Sequence, residues 1–395
     1  MISNFLFLIS DIMQFPIENF RELTTPFYYY DMALFERTVK AMLESASNVD
    51  YSVHYAIKAC SASEILEVIR RYGLGVDCVS GWEVKAALNA GIMPQKIVFA
   101  GVGKQDAEIE SAIDADIFCF NVESVEELEI INLIAGKKCK KARVCLRINP
   151  DIDAHTHHHI TTGLKEDKFG IQMEDMEKAV ALCQQLHNIE FIGLHFHIGS
   201  QITEMQPYID LCSRVNDLVG SLESKGFEVK NINVGGGLGI DYKEPDEHSI
   251  PDFASFFGVF KKHLRLRSGQ TLHFELGRSL VGQCGSLITR VIYVKHGKEK
   301  NFVIADAGMT DLIRPALYGA YHRIDNLTSS SSEYGVYDVV GPICESSDVF
   351  VRDYKMPLTQ RGDLLAIRSA GAYGEVMASQ YNMRPLPKHI ISAVD

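Results

Sequence analysis

Between Tyr51 and Gly277 the chain repeats one rhythm eight times: a short β-rich run, then a stretch with apolar residues three and four apart. The runs are YSVHYAIKA (51–59), GVDCVS (75–80), KIVFAG (96–101), IFCFNV (117–122), ARVCLRIN (142–149), FIGLHFHIGS (191–200), NINVGGG (231–237) and TLHFELG (271–277). Segments such as SASEILEVIRRYG, GWEVKAALNAG and ESVEELEIINLIAG separate them, and a helix over Ala33–Ser45 opens the series. Eight β/α units predict an α/β fold, a TIM-like (β/α)8 barrel.

After Gly277 the texture changes. GSLITRVIYVKH, KNFVIADAG, EYGVYDVVGP and RGDLLAIRSAG read as strands joined by short turns, with little helical periodicity between them. The expected division is an N-terminal segment 1–32 packing on the β-domain, a barrel over 33–277, and a C-terminal all-β domain over 278–395. The tract DNLTSSSSEY (325–334) reads as a solvated loop.

Alternation decides which side chains enter the barrel. Val144, Leu146 and Ile148 form an apolar outer set, which leaves Arg147 inside near its strand's end. By the same count Leu194, Phe196 and Ile198 face out while His195 and His197 face in. Glu275 lies inside between Phe274 and Leu276, and Lys58 inside beyond Ile57. Any one of these is explained by a buried ion pair or a satisfied core histidine. Unrelated buried charges on four strands would each cost several kcal/mol, so a shared polar ligand at the C-terminal mouth is the economical reading. A lysine pushed toward an apolar interior has a lowered pKa, which favours the neutral amine that adds to an aldehyde. NVGGGLGID (233–241) follows the seventh run; its glycines let backbone N–H groups approach an anion at the corner where such barrels bind phosphate.

The bulk numbers narrow the function. The chain has 395 residues, 46% of them hydrophobic, so it carries ample core. A formal charge of −12 without a long basic run argues against a nucleic-acid partner. Nine cysteines without a CxxC pair fit reduced thiols in a cytoplasmic protein. The opening MISNFLFLIS is too short to span a bilayer and has no basic start, so no membrane partner is expected and Met13 is an alternative start.

Many segments carry a family likeness in one order: YAIKA (55–59), VDCVSGWE (76–83), RINPDIDAHTH (147–157), TGLKEDKFGI (162–171), GLHFHIGSQI (193–202), NVGGGLGIDY (233–242), ELGRSLVG (275–282), DAGMTDLIRPALYGAYH (306–322), VGPICESSDVF (340–350) and GAYGEVMASQYNMRP (371–385). On these the chain resembles the alanine-racemase-like, fold-type III pyridoxal-phosphate decarboxylases, the ornithine/lysine/arginine class II group. The likeness is closest to members acting on meso-2,6-diaminopimelate, and it covers nearly all the chain from Pro26.

The resemblance implies pyridoxal 5'-phosphate as cofactor and loss of carbon dioxide from the D-centre to give L-lysine, the last step of lysine biosynthesis. It implies that Lys58 holds the cofactor aldehyde, that His197 stacks on the pyridine ring, and that Glu275 keeps the ring nitrogen protonated. Ser200, Gly235, Gly236, Gly237, Gly277, Arg278 and Tyr373 would hold the phosphate, with Asp77 and Arg147 buttressing the cofactor. Arg278, Arg314, Tyr318, Glu345 and Tyr373 would bind the amino-acid centre that does not react. Cys344 would protonate the carbanion. Cys344 and Glu345 would complete the neighbouring subunit's site, implying a homodimer with shared active sites.

Leu276, Ser347 and Cys60 stand where the family commonly has proline, glycine and asparagine; none removes a functional group. The HTHHH cluster (155–159) matches the family's loop after the fifth run, and no metal is expected there. Two other readings stay open. A related decarboxylase of ornithine, lysine, arginine or carboxynorspermidine would bind a different distal group. An inactive pyridoxal-phosphate-binding homologue would have lost cofactor residues, whereas Lys58, Glu275, Arg278 and Cys344 are all present.

Overall fold

The computed structural model describes residues 13, 15–47, 51–152 and 168–393. The chain divides into two compact units. One comprises Lys40–Gly239 and Asp252–Gly277; the other comprises residues through Val39, Ile240–Pro251, and the chain from Arg278.

In the first unit the strands Tyr51–Ala56, Gly75–Cys78, Ile97–Phe99, Cys119–Val122, Ala142–Asn149, Ile189–His195, Asn231–Asn233 and Thr271–Leu276 pair in chain order, all parallel. Thr271–Leu276 closes the ring against Tyr51–Ala56, with Leu272 opposite Tyr51 and Leu276 opposite Tyr55. This is the (β/α)8 barrel that the sequence rhythm predicts, with a two-residue strand, Ile171–Gln172, added beside Ile148–Asn149.

Local chemistry explains the covering helices. Ser63–Arg71 buries Ile65, Leu66, Val68 and Ile69, a stripe spaced for one helical face. Ser80 accepts a hydrogen bond from the Glu83 N–H and Ser124 from the Glu127 N–H, each pairing a donor that a first helical turn leaves open. Outside the barrel, the Phe274 ring meets Phe256, Phe257 and Phe260 of the helix Phe253–His263 edge-on at 5.5, 4.9 and 5.0 Å. Full burial of such a ring contributes about 1.5–3 kcal/mol. It also fixes the strand's facing, so Glu275, one residue on, points inward.

Two expectations fail at strand ends. The first run leaves the extended conformation at Ala56, and Ile57–Ala59 forms a single 3-10 turn. Lys58 is therefore a turn residue, and alternation does not set its direction. Ile189–His195 stops two residues short of His197. In both places the backbone ladder runs out, Ala56 being the last residue paired with the neighbouring strand, and the chain turns across the mouth. A bulge also shifts the Ala142–Asn149 register from Phe191 to Gly193. The extra residue, Ile192, packs with Val98, Cys119 and Cys145.

The second unit is a largely antiparallel sheet built around Gly285–His296. That strand pairs with Phe27–Tyr30, Leu364–Ile367 and Asn301–Ala305. Tyr334–Val340 and Val349–Pro357 extend one side, Ile324–Asn326 joins Leu364–Ile367, and Lys388–Ile391 runs parallel to Phe27–Tyr30. The sequence showed no strand at 27–30, 324–326, 349–357 or 388–391. Among the described residues no helix is long and apolar enough to cross a membrane.

Candidate active site

Lys58 reaches from its turn to Asp77 on the next strand, with Nζ 2.7 Å from Oδ2. Asp77 is sealed from solvent, and its other oxygen, Oδ1, has no hydrogen-bond partner. Burial pushes the Asp77 carboxyl above its ordinary value, the charge of Glu275 adds to this, and Lys58 offsets only part of it.

Deeper in the barrel, Glu275 sits among three donors. Asn121 Nδ2 and Asn233 Nδ2 donate to Oε1 at 2.9 and 2.8 Å, and His195 Nε2 donates to Oε2 at 3.1 Å. Burial alone would raise this carboxyl. The charge and hydrogen bond of His195, then the charge of Lys58, overcome it and hold Glu275 well below the ordinary carboxylate range. The result is a buried carboxylate that stays ionised. His195 Nδ1, on the far side of the ring, is buried without a partner.

The glycines after Asn233 form a tight cradle. Gly235 and Gly237 take φ of +69° and +97°, where a side chain is strained. A Cβ on Gly236 would lie 1.8 Å from the Glu275 backbone oxygen, so only glycine fits. The Gly236 N–H donates to His197 Nδ1 at 3.4 Å. Burial, then the charges of Arg147 and Lys58, push the His197 imidazole well below its ordinary value, so its ring is neutral. Ser200 follows Gly199, whose φ is +142°. Gly277 ends the barrel unit, where a Cβ would come 3.0 Å from that of Ala59. Arg147 is engaged elsewhere: its Nη1 donates to Glu123 Oε1 at 2.8 Å and its guanidinium lies 4.7 Å over the Phe169 ring.

The residues expected to bind substrate lie in the other unit. Arg278 begins the helix Arg278–Val281, donates from Nη1 to the Tyr242 hydroxyl at 2.6 Å, and stacks on Tyr373 at 4.8 Å. Arg314 begins Arg314–Tyr318, which ends on Gly319 in the left-handed region. Its guanidinium lies 5.8 Å from the Tyr318 ring and also reaches Tyr242. The structure thus brings Arg278, Arg314, Tyr318 and Tyr373 together around Tyr242. Cys344 and Glu345 lie on an exposed turn, pinned by Asp348 accepting from Ile343 N and by Asn382 accepting from Cys344 N.

Sequence reasoning missed Asn121, Asn233, Glu123, Tyr242 and His322. The first two had a readable signal, since each is a polar residue at an inward position of its strand. Tyr242 and His322 had none, being 80 positions apart in the chain. The HTHHH cluster lies outside the described residues; among the described residues no group of three or more His, Cys, Asp or Glu is arranged to hold a metal.

These parts fit pyridoxal phosphate on observations independent of its name. A mouth lysine offers an amine to an aldehyde, an ionised buried carboxylate suits a protonated pyridine nitrogen, and a glycine cradle leaves room for a phosphate. Two sealed polar atoms, Asp77 Oδ1 and His195 Nδ1, have no protein partner. Fold and site together define a pyridoxal-dependent decarboxylase barrel. Residues 32–282 match the family described as pyridoxal-dependent decarboxylase, pyridoxal binding domain, and the chain belongs to that family.

Its relatives are more particular. The chain is 58% identical over 375 residues to diaminopimelate decarboxylase of Bacteroides thetaiotaomicron, covering 95% of this chain and 97% of the relative. The crystal structure of diaminopimelate decarboxylase from Helicobacter pylori complexed with L-lysine superposes with a TM-score of 0.90 at 41% identity, over 95% of this chain and 93% of that one. A lysine/ornithine decarboxylase from Vibrio vulnificus, complexed with cadaverine, shares the fold at 19% identity and a TM-score of 0.83, over 95% of this chain and 96% of that one.

Proposed function

We propose that this protein decarboxylates meso-2,6-diaminopimelate at its D-centre, releasing carbon dioxide and L-lysine. The observation that carries the choice of substrate is Arg314, a guanidinium 5% exposed with no carboxylate partner among the described residues. A buried cation of that kind repels the distal ammonium of ornithine or lysine and attracts a distal carboxylate. The identity to diaminopimelate decarboxylases supports the same choice.

Pyridoxal phosphate, when bound, supplies a protonated ring into which the electron pair left by departing carbon dioxide can spread. Lys58 would hold the aldehyde carbon and hand it to the substrate amine, its own amine kept in place by Asp77. Glu275 would keep the proton on the ring nitrogen, and its three donors keep Glu275 ionised. His197, neutral, would cover a ring face. Gly235, Gly236, Gly237, Gly277 and Ser200, with Arg278 and Tyr373, would hold the phosphate. Arg147, committed to Glu123, would act on the cofactor through the mouth it braces. Arg278, Arg314, Tyr318 and Tyr373 would bind the non-reacting centre. In a cytoplasmic homodimer, Cys344 would give its thiol proton to the reacting carbon of the neighbouring subunit's substrate, and Glu345 would meet the ammonium.

The test compares carbon dioxide release from meso-diaminopimelate, lysine and ornithine. Release from the first alone is expected; preference for either of the others would refute the substrate assignment. Lys58→Ala should abolish the cofactor's bound visible absorbance, and an unchanged spectrum would refute the tether. Mixed Lys58→Ala and Cys344→Ala subunits should recover partial activity, and no recovery would refute shared sites.

A further inference from the structure

Resting on the decarboxylase reading above, we propose that His322 is a positioning residue for Arg314, its ring lone pair aiming the guanidinium at the carboxylate of the substrate's non-reacting centre.

Arg314 engages two of its three guanidinium nitrogens among the described residues. Nε–H donates to His322 Nε2 at 3.3 Å, and Nη2 donates to the Tyr242 hydroxyl at 3.3 Å. Both acceptors are uncharged groups on one edge of the guanidinium. Among the described residues no hydrogen bond reaches Nη1. The Nη1/Nη2 edge is therefore left to take a carboxylate by two parallel bonds. A carboxylate in place of His322 would have neutralised the arginine and removed its reason to bind an anion.

The tautomer of His322 follows from its other nitrogen. Nδ1 lies 2.8 Å from the backbone oxygen of Arg368, which only accepts, so Nδ1 carries the proton. In a neutral ring Nε2 is then a lone pair, the partner that Arg314 Nε–H requires. Burial and the charge of Arg314 hold the ring's pKa at about 3, so it stays neutral at working pH. The ring has little freedom to turn. It is 2% exposed and meets Tyr242 edge-on at 5.0 Å. The Arg368 segment that receives its proton is anchored by Asp246 and Asp325 at 2.6 and 2.8 Å.

The experiment uses the holoenzyme with His322→Leu, His322→Asn and His322→Gln. Leucine removes the acceptor. Asparagine keeps a donor for the Arg368 carbonyl but falls short of Arg314, so it carries the test should the leucine variant fail to fold. Glutamine restores an acceptor at reach. The readouts are kcat and KM for meso-diaminopimelate, the cofactor's visible spectrum, and calorimetric binding of L-lysine, which has the carboxylate, and cadaverine, which lacks it. For leucine and asparagine we expect KM and the lysine Kd to rise roughly tenfold. The kcat should stay within about twofold, with cadaverine binding and the spectrum unchanged. Glutamine should recover most of the loss. Equal weakening of lysine and cadaverine, a fall in kcat at constant KM, or no change would overturn the proposal. Wild-type protein that leaves meso-diaminopimelate intact would refute the substrate assignment; one that binds lysine no better than cadaverine would refute the role of His322.

Discussion

Replacing Glu83 by glutamine removes a buried titration while keeping the shape of the side chain. Glu83 lies in the first turn of the helix Gly81–Asn89, where its Oε2 accepts from the Val79 N–H at 2.8 Å, a bond the amide oxygen of glutamine can keep. Burial, with the nearby Asp77 charge, outweighs that bond and Lys58 and pushes the carboxyl up to about 7. The folded value lies above the unfolded one, so the native state holds this proton more tightly. Its contribution is full below pH 4.5 and is lost as pH rises through 7. The wild type thus forgoes under about 1 kcal/mol at pH 5 and about 3 kcal/mol at pH 8, which the variant retains. At about 2 cal/mol/K per residue, that is a Tm advantage of about 1 °C at pH 5 and about 4 °C at pH 8. Scanning calorimetry at a fixed rate across this range reads it directly. An offset that does not change with pH, or a variant less stable at pH 8, would refute the account of Glu83.

Other perturbations follow from the same geometry. Asn233→Leu strips one donor from an ionised buried carboxylate and should destabilise by about 1.5–3 kcal/mol in urea unfolding, with an unchanged midpoint counting against the Glu275 cage. Gly236→Ala has no room beside the Glu275 backbone and should yield no soluble holoenzyme. Gly220→Ala, in the helix Gln206–Ser224 with open space at its Cβ, should stabilise by about 0.5–1 kcal/mol, and the reverse order of the two variants would refute the packing argument. His273, whose Nδ1 lies 3.0 Å from His54 Nε2 and which is held at about 3 chiefly by burial, is neutral when folded. Its contribution is present above pH 6.5 and should fall by about 2 kcal/mol by pH 5; His273→Asn should flatten that part of the stability profile.

The barrel was legible because its signal is periodic over long stretches. ARVCLRIN is a strand over the residues the pattern gives, Ala142–Asn149, and Glu275, His195 and Arg147 enter the interior as their parity requires. The reading failed where extended backbone stops. Lys58 meets Asp77 through a turn, so the alternation by which it was read does not reach it. Phe27–Tyr30 is buried throughout and shows no period, while Val349–Pro357 is an edge strand with charged, exposed residues in its middle. Asn121 and Asn233 carry no charge to draw attention. The arginine cluster was named through resemblance, whereas the groups that orient it are set by tertiary contacts that no local pattern encodes.

The pairing of Phe27–Tyr30 with Lys388–Ile391 sets an order of events during synthesis. Every barrel strand has been synthesised once Leu276 is added, so that ring can close after a further stretch of chain has pushed it clear of the ribosome and while the C-terminal end is still being translated. The β sheet cannot be finished then. One of the earliest strands to emerge must wait, one edge unmatched, for one of the last. Truncation by even a dozen C-terminal residues would leave that edge open in the finished protein, and such an edge invites association with other chains.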